Sequence, residues 1–558
     1  MTYVITQGCC NDASCISVCP VQCIRPRPGD PDFTTAEQLY IDPATCIDCA
    51  ACMDECPVNA IEADYDLPAH LGEYLAINEE YFEDNPITDT SPVAAIRHKL
   101  PADRPELRVA VVGTGPAACY AIGELSATAG VAVSVFERLP TPFGLLRSGV
   151  APDHASTKLI GEQFRGILAR KSVTCFFNVE VGRDISVDEL LEHHHAVIWA
   201  GGAAGDKTLG IEGEDLPGSH SAREFVAWYN GHPDHATDQF DLSGERVVVL
   251  GNGNVALDVA RALTRPVAVF ERSDMADHAI AALRGSQVTE VVVAARRGPG
   301  QVASTTAELL ALTQLEGVDL VARPEEVDAD PTPHADTAGA VAIAARKNAI
   351  LTTASRRTPN DTNRRIAMRF LMIPRSINGT DRVESITFDR AEITAGDDGL
   401  PVVRATGEEE TIETGLVLRA IGYRSTPVAG LPYSDLTGTI PHQGGRVLDP
   451  EAGATMTGVY CTGWVKRGAS GVIGTNKADS VETVVSLIED FAAGQLRDPA
   501  GDAETLKALV AERSPDHLDN AGWLRINQAE RSAGSAEKRP RVKFVSVEQM
   551  LAASRTTG

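Results

Sequence analysis

No stretch of the sequence approaches the roughly 20 consecutive apolar residues a membrane-crossing helix requires, so no membrane span is expected. The opening residues, Met1 to Gln7, lack the basic start and apolar run of a secretory leader, and a cytoplasmic location is expected. Basic residues are scarce at the front. Residues 1–100 carry 4 Lys and Arg against 17 Asp and Glu, a net of −13 out of −27 for the whole chain. Such a surface repels nucleic acid and anionic membrane, and it favours a basic protein partner or an intramolecular dock. Cysteine is rare after position 56: only Cys119, Cys175 and Cys461 remain, all in apolar contexts that read as core.

The other nine cysteines lie between positions 9 and 56. Regular short spacing without a leader argues for metal ligation over disulfides. Cys46-Ile-Asp-Cys49-Ala-Ala-Cys52-Met-Asp-Glu-Cys56-Pro57 is C-x2-C-x2-C-x3-C-P without departure. Three thiolates on one tight loop hold one cluster, and the fourth crosses to a second. A zinc site has no need of the trailing Cys-Pro. The earlier stretch, Cys9-Cys10-Asn-Asp12-Ala-Ser-Cys15-Ile-Ser-Val-Cys19-Pro20, follows the same template with Asp12 at the second cysteine position. Cluster II would use Cys46, Cys49, Cys52 and the crossing Cys19. Cluster I would have Cys9, Cys15 and the crossing Cys56, with Asp12, a hard oxygen donor, or solvent at the fourth corner. Cys10 is an alternative to Cys9 with poorer spacing, and Cys23 reads as packing.

These spacings resemble bacterial two-cluster ferredoxins of the 7Fe and 8Fe kinds over about residues 1–85. The resemblance implies one 4Fe–4S cluster and, where the fourth thiolate is missing, a 3Fe–4S or labile 4Fe–4S cluster. Residues 86–106 contain four prolines among polar residues and read as a linker. A ferredoxin so tethered has a raised effective concentration at the next domain.

At 558 residues the chain is long enough for three or four domains, and with 43% hydrophobic and 23% charged residues it has an ordinary globular composition. After the linker, the apolar run Arg108 to Val112 leads into Gly113-Thr-Gly115-Pro-Ala-Ala118 and a helical pattern. A second apolar run ends at Glu137, 24 residues after Gly113. Glycines let backbone approach a pyrophosphate at a helix N-terminus, and the acid suits ribose hydroxyls. A second unit follows: Arg246 to Leu250, then Gly251-Asn252-Gly253-Asn254-Val255-Ala256 and a helix. Arg296 and Arg297 close its next strand where an acid would stand for NAD. Paired guanidiniums attract a 2′-phosphate, so NADP is expected. Two such units imply one dinucleotide held and one exchanged.

Pro142-Phe-Gly-Leu145-Leu-Arg147 through Asp153-His154, Gly251 to Arg261, Arg296 to Val302 and Gly463-Trp464-Val-Lys-Arg-Gly468 with Gly471-Val472-Ile473 resemble adrenodoxin reductase-type ferredoxin–NADP reductases. The resemblance is collinear over about residues 107–500, and the fused ferredoxin resembles the actinobacterial arrangement. It implies an α/β fold: an α+β ferredoxin-like domain (1–85), a linker (86–106), a discontinuous FAD domain (107–215 and 416–500) with an NADP domain (216–415) inserted, and an extension (501–558). Implied FAD contacts are Gly113, Gly115, Ala118, Glu137, Leu145, Val181, Trp464 and Gly471 to Ile473. Ala118 stands where a third glycine is common. Implied NADP contacts are Gly251 to Val255, Arg296, Arg297, Glu308 and Gly471, where only a small residue leaves room for nicotinamide against the flavin. Asp153 and His154 are candidates for proton handling beside the flavin.

The implied activity is transfer of electrons between NADPH, FAD and the clusters, with one-electron delivery to a ferredoxin or haem monooxygenase. The alternatives are an input subunit of a glutamate synthase-like complex and a redox sensor built on cluster I. His193-His194-His195, three adjacent side chains between a helix and a strand, does not have metal-ligand spacing. The extension carries no recognisable chemical motif.

Overall fold

The computed structural model describes residues 1–93, 97–329, 338–395 and 401–555. Residues 94–96 of the expected linker and 556–558 of the extension therefore lie outside the description.

The first unit is small and internally repeated. Tyr3–Ile5 pairs antiparallel with Ile61–Ala63, and Ile24–Arg25 with Tyr40–Ile41. The short helices Ser14–Val18 and Ala51–Glu55 face each other, and the longer helix Glu73–Asp84 covers the strands. Asn11 and Asp48, Ala13 and Ala50, and Gln22 and Asn59 all take left-handed backbone conformations. One constant offset relates these pairs, and the same offset carries Cys9 to Cys46, Asp12 to Cys49, Cys15 to Cys52 and Cys19 to Cys56. Left-handed residues alternating with right-handed ones turn successive N–H groups inward, a concavity suited to an anionic group.

Two large sheets follow. The first has seven strands, in the order His442–Gln443, Arg446–Asp449, Ala454–Cys461, Ala196–Trp199, Leu107–Val112, Val131–Glu137 and Val173–Phe177. The last five are parallel, as unbroken apolar runs such as Val109 to Val112 require when both faces are covered. Ala454–Cys461 enters from far down the chain, so this sheet closes only after the second is complete. The second sheet is wholly parallel: Ser219–Ser221, Leu416–Arg419, Arg246–Leu250, Glu290–Ala294, Arg364–Arg369, Val318–Ala322. A three-stranded antiparallel sheet, Met372–Asn378, Ser385–Ala395 and Pro401–Glu413, adjoins it.

No helix or strand is present among the described residues between Asn85 and Glu106, yet this segment is tied down at both ends. Arg25 and Arg27 bind Asp89 on one side; His98 binds Glu124 at 3.0 Å and Leu100 enters the first sheet's core on the other.

The extension is a strap. Trp523 meets Phe143 edge-on in the first sheet's core. Glu530, fully buried, binds Arg147 at 2.5 Å and Arg541 at 2.9 Å. Lys543 reaches Asp274 and Asn230, both at 3.1 Å, beside the second sheet, and Arg539 binds Asp277 at 2.7 Å. No helix is long and apolar enough to cross a membrane among the described residues.

Candidate functional site

Among the described residues all twelve cysteines are free. Cys9, Cys15 and Cys56 line one cavity, together with Cys10 and Asp12. Cys19, Cys46, Cys49 and Cys52 line a second, together with Cys23. Burial pushes the thiol of Cys9 up to about 11 and that of Cys52 up to about 12, and neighbouring thiols add to the rise at Cys52. Thiols crowded this way do not ionise unaided; ferric or ferrous iron is the kind of centre that holds them as thiolates. The residues therefore fit clusters. Cys23, read from sequence as packing, lies 3.4 Å from the Cys19 sulfur, and this contact draws the Cys19 thiol down. Asp12 is 3% exposed: its Oδ2 accepts from Tyr120 at 2.9 Å and lies 3.5 Å from Lys477 Nζ.

The two glycine turns sit at the carboxyl ends of parallel strands, Leu107–Val112 in the first sheet and Arg246–Leu250 in the second. Gly113 has φ +102°, and a Cβ there would stand 2.6 Å from the Ala200 carbonyl oxygen. A Cβ on Gly115 would meet nothing within 4 Å, so the space above the N-terminus of helix Pro116–Ser126 is open. Ala118 is buried in that helix. Glu137 ends the neighbouring strand, its carboxylate accepting from Thr114 Oγ1 at 2.5 Å and the Leu139 amide at 3.1 Å, while burial raises its pKa. Leu145 is exposed at the start of helix Leu145–Ser148, and Val181 is buried after the last parallel strand. Trp464 stacks on Tyr423 with centroids 5.5 Å apart. Gly471 has φ +78°, and a side chain there would collide with Thr475, which accepts from the Val472 amide; Ile473 packs against the first sheet's core. This set fits a dinucleotide and an adjoining flat ring.

In the second sheet Gly251 has φ +110°, and its Cβ would stand 2.3 Å from the Ala420 carbonyl oxygen. A Cβ on Gly253 would again meet open space. Asn254 and Val255 open helix Asn254–Thr264, with Asn254 Oδ1 accepting from the Thr305 amide at 2.8 Å. Asn252 Nδ2, Gln301 Oε1, Ser304 Oγ and Thr306 Oγ1 are buried without hydrogen-bond partners among the described residues. Orphaned donors and acceptors gathered around the glycine turn and the adjoining segment 301–306 signal a polar ligand. Arg296 and Arg297 stand exposed at the end of Glu290–Ala294, beside the glycine turn.

Between the sheets lies a buried network that sequence reasoning passed over. Arg261 binds Asp153 at 2.9 Å, Asp258 at 2.5 Å and Glu308 at 2.7 Å, and donates to His154 Nε2 at 2.8 Å. Asp153 also binds Arg265 at 2.9 Å. Burial would raise the Asp153 carboxyl, but Arg261, His154 and Arg265 hold it well below the usual range. Burial pushes the Asp258 carboxyl up against the pull of Arg261 and His154. His154, Asp258 and Glu308 bring ligand atoms within 4.8 Å of one another, and Arg261 already supplies the cation among them. Arg261 lay in a matched segment, but its partners come from three separate stretches, which spacing alone does not reveal. The three adjacent histidines diverge: His193 faces the Asp502 carbonyl, His194 the Leu190 carbonyl, and His195 accepts from the Arg108 amide.

Comparison with known proteins agrees with this assembly. The family of 4Fe-4S binding domains matches residues 39–62. A probable ferredoxin/ferredoxin–NADP reductase of Mycobacterium leprae is 44% identical over 99% of this chain and 98% of its own. The NADPH-ferredoxin reductase FprA of Mycobacterium tuberculosis is 42% identical over 79% of this chain and 98% of its own. The structure of that FprA in complex with NADPH superposes with a TM-score of 0.76, at 41% identity, covering 81% of this chain and all of the other. With both cysteine loops, both glycine turns and the strap aligned end to end with such a relative, the chain belongs to the ferredoxin/ferredoxin–NADP reductase family.

Proposed function

We propose that the chain is an FAD-dependent ferredoxin–NADP(+) oxidoreductase that carries its own ferredoxin. One observation carries the reading: Cys9, Cys10 and Cys56 of the cysteine loops and Ile473 beside the flavin turn all pack on the core of the first sheet. Carriers held on one core are close enough to exchange electrons in cis. Bound FAD accepts hydride and releases electrons singly, which reconciles a two-electron donor with one-electron clusters.

In this reading Gly113 and Gly115 admit the FAD pyrophosphate to a helix N-terminus, Glu137 holds its ribose, and Ala118, Leu145, Val181, Trp464 and Gly471 to Ile473 shape its bed. Gly251 to Val255 do the same for NADP, and Arg296 with Arg297 engages the 2′-phosphate. His154, in contact with Arg261 and Glu308, is the candidate for proton handling at the flavin edge; Asp153 holds Arg261 in place. Glu308 completes that cradle. Cys46, Cys49, Cys52 and Cys19 hold a 4Fe–4S cluster, and Cys9, Cys15 and Cys56 anchor a second. Residues 107–215 form the first part of the flavin domain; because Leu416–Arg419 is a strand of the second sheet, the NADP domain runs over 216–419 instead of ending at 415 as expected, and the flavin domain resumes after it, to 500. The acidic ferredoxin face suits a basic acceptor, a ferredoxin or haem monooxygenase, and free thiols suit the cytoplasm.

The test is direct. Purified under argon, the chain should bleach its flavin on addition of NADPH, develop a reduced-cluster paramagnetic signal, and reduce cytochrome c without further protein. Flavin that bleaches while the iron stays oxidised would leave a reductase without a working ferredoxin and sink the proposal.

A further inference from the structure

Asp12 occupies the place in the first cysteine loop that Cys49 holds in the second. Geometry gives it a different task. Its Oδ2 accepts a 2.9 Å hydrogen bond from Tyr120, on the helix that opens at the first glycine turn, and lies 3.5 Å from Lys477 Nζ. Lys477 also donates to the Asp12 carbonyl at 2.9 Å, and its ammonium lies over the Tyr120 ring at 5.9 Å. The other carboxylate oxygen is taken by Ser14. Around this contact the backbones touch: the Gly474 amide donates to the Cys10 carbonyl at 2.7 Å. Gly474 has an ordinary helical conformation, yet a Cβ there would fall 1.9 Å from the Asn11 carbonyl oxygen, so only glycine admits the loop. On the far side Glu37 caps the Thr306 amide at 2.7 Å and binds Lys347 at 2.5 Å. The second loop is placed oppositely. Cys49 is exposed, and Ile47 and Met53 are 57% and 39% exposed.

We infer that Asp12 is a positioning residue that latches the first cysteine loop to the flavin side, and is not a ligand of iron. The first loop's cluster is then the entry point for electrons and the second loop's cluster the exit. Each NADPH yields NADP⁺, one proton released to solvent and two electrons. The electrons pass singly: each one reduces the entry cluster by one, then moves on to the exit cluster and leaves the entry cluster oxidised again. This rests on the NADPH-oxidising reading above.

The test uses the full-length holoprotein. Asp12→Asn should keep its iron content and the paramagnetic signal of the entry cluster, because no iron ligand has been removed. Tyr120→Phe combined with Lys477→Gln attacks the latch from the other side. It should leave ferricyanide reduction by NADPH, drawn from the flavin, unchanged. Both proteins should slow NADPH-driven cluster reduction about 10-fold or more in rapid mixing, as expected for loss of charge-assisted bonds in a buried contact. Iron loss or an altered signal in Asp12→Asn would make Asp12 a ligand. Unchanged cluster reduction in both proteins would overturn the latch and the route. Absence of ferricyanide reduction in the parent itself would instead sink the functional reading.

Discussion

Arg296 and Arg297 follow the strand Glu290–Ala294, four of whose five residues are buried, and among the described residues neither guanidinium has an acid of its own. Two exposed cations at a strand end cost little to keep and are free to meet a phosphate. Replacing both by Gln should weaken NADPH binding about 10–100-fold while leaving NADH binding unchanged, as loss of charge-assisted hydrogen bonds predicts; KM values for the two nucleotides check this. His194 gives a pH dependence. It is buried, donates to the Leu190 carbonyl at 2.8 Å, and burial draws its pKa down to about 4 from 6.5. The unfolded chain binds this proton more tightly, so His194 contributes fully above pH 6.5 and that contribution is lost as pH falls toward 4. The loss is of the order of 3 kcal/mol at a single site. His194→Phe should flatten that part of a melting-temperature profile against pH. The two groups of cysteines were legible at this scale because one loop supplies three of them in a fixed spacing. The setting of Asp12 was not, since Tyr120 and Lys477 lie 108 and 465 residues away.

Among elements, the strap Asn520–Ala536 with its tail ties the two large sheets together through buried charges. Removing residues 537–558 takes away Arg539, Arg541 and Lys543, leaving Glu530 to Arg147 alone and Asp274 to Lys158 alone. Leaving buried charges short of partners costs about 3–5 kcal/mol. The truncated protein should melt at lower temperature, and trypsin should cut between the sheets faster; an unchanged melt would make the tail an ornament. Apolar runs such as Val247 to Leu250 and Val291 to Ala294 announced their strands, because residues covered on both faces leave an unbroken hydrophobic signature. Asn520–Ala536 was invisible for the opposite reason. Its buried positions are Gly522, Trp523, Ile526, Glu530 and Gly534. Two glycines and a carboxylate make a core face that hydrophobic periodicity cannot detect.

For the whole molecule, charge is distributed as the route requires. The first hundred residues hold 17 acids against 4 bases, and the exposed second cysteine loop is flanked by the exposed Asp54 and Glu55. Steering of a basic acceptor toward this end should fade with added salt. Cytochrome c reduction should fall about 10-fold between low salt and ~0.5 M. Ferricyanide, an anion served by the flavin, should not slow. A cytochrome c rate indifferent to salt would place its docking elsewhere. The two dinucleotide units were legible as units, but how the ferredoxin seats on both of them was not. That seat is made by single residues, Glu37, Gly474 and Leu310 among them, scattered along the chain.

Twofold repetition in the small N-terminal unit has a consequence of its own. A relay with identical halves has no front or back: either end could face either neighbour, and a reversed seating would work as well as the right one. Exchanging a single thiol for a carboxylate ends that equivalence. The half with the acid fits the flavoprotein and the other half does not, so one altered atom set gives the wire its direction.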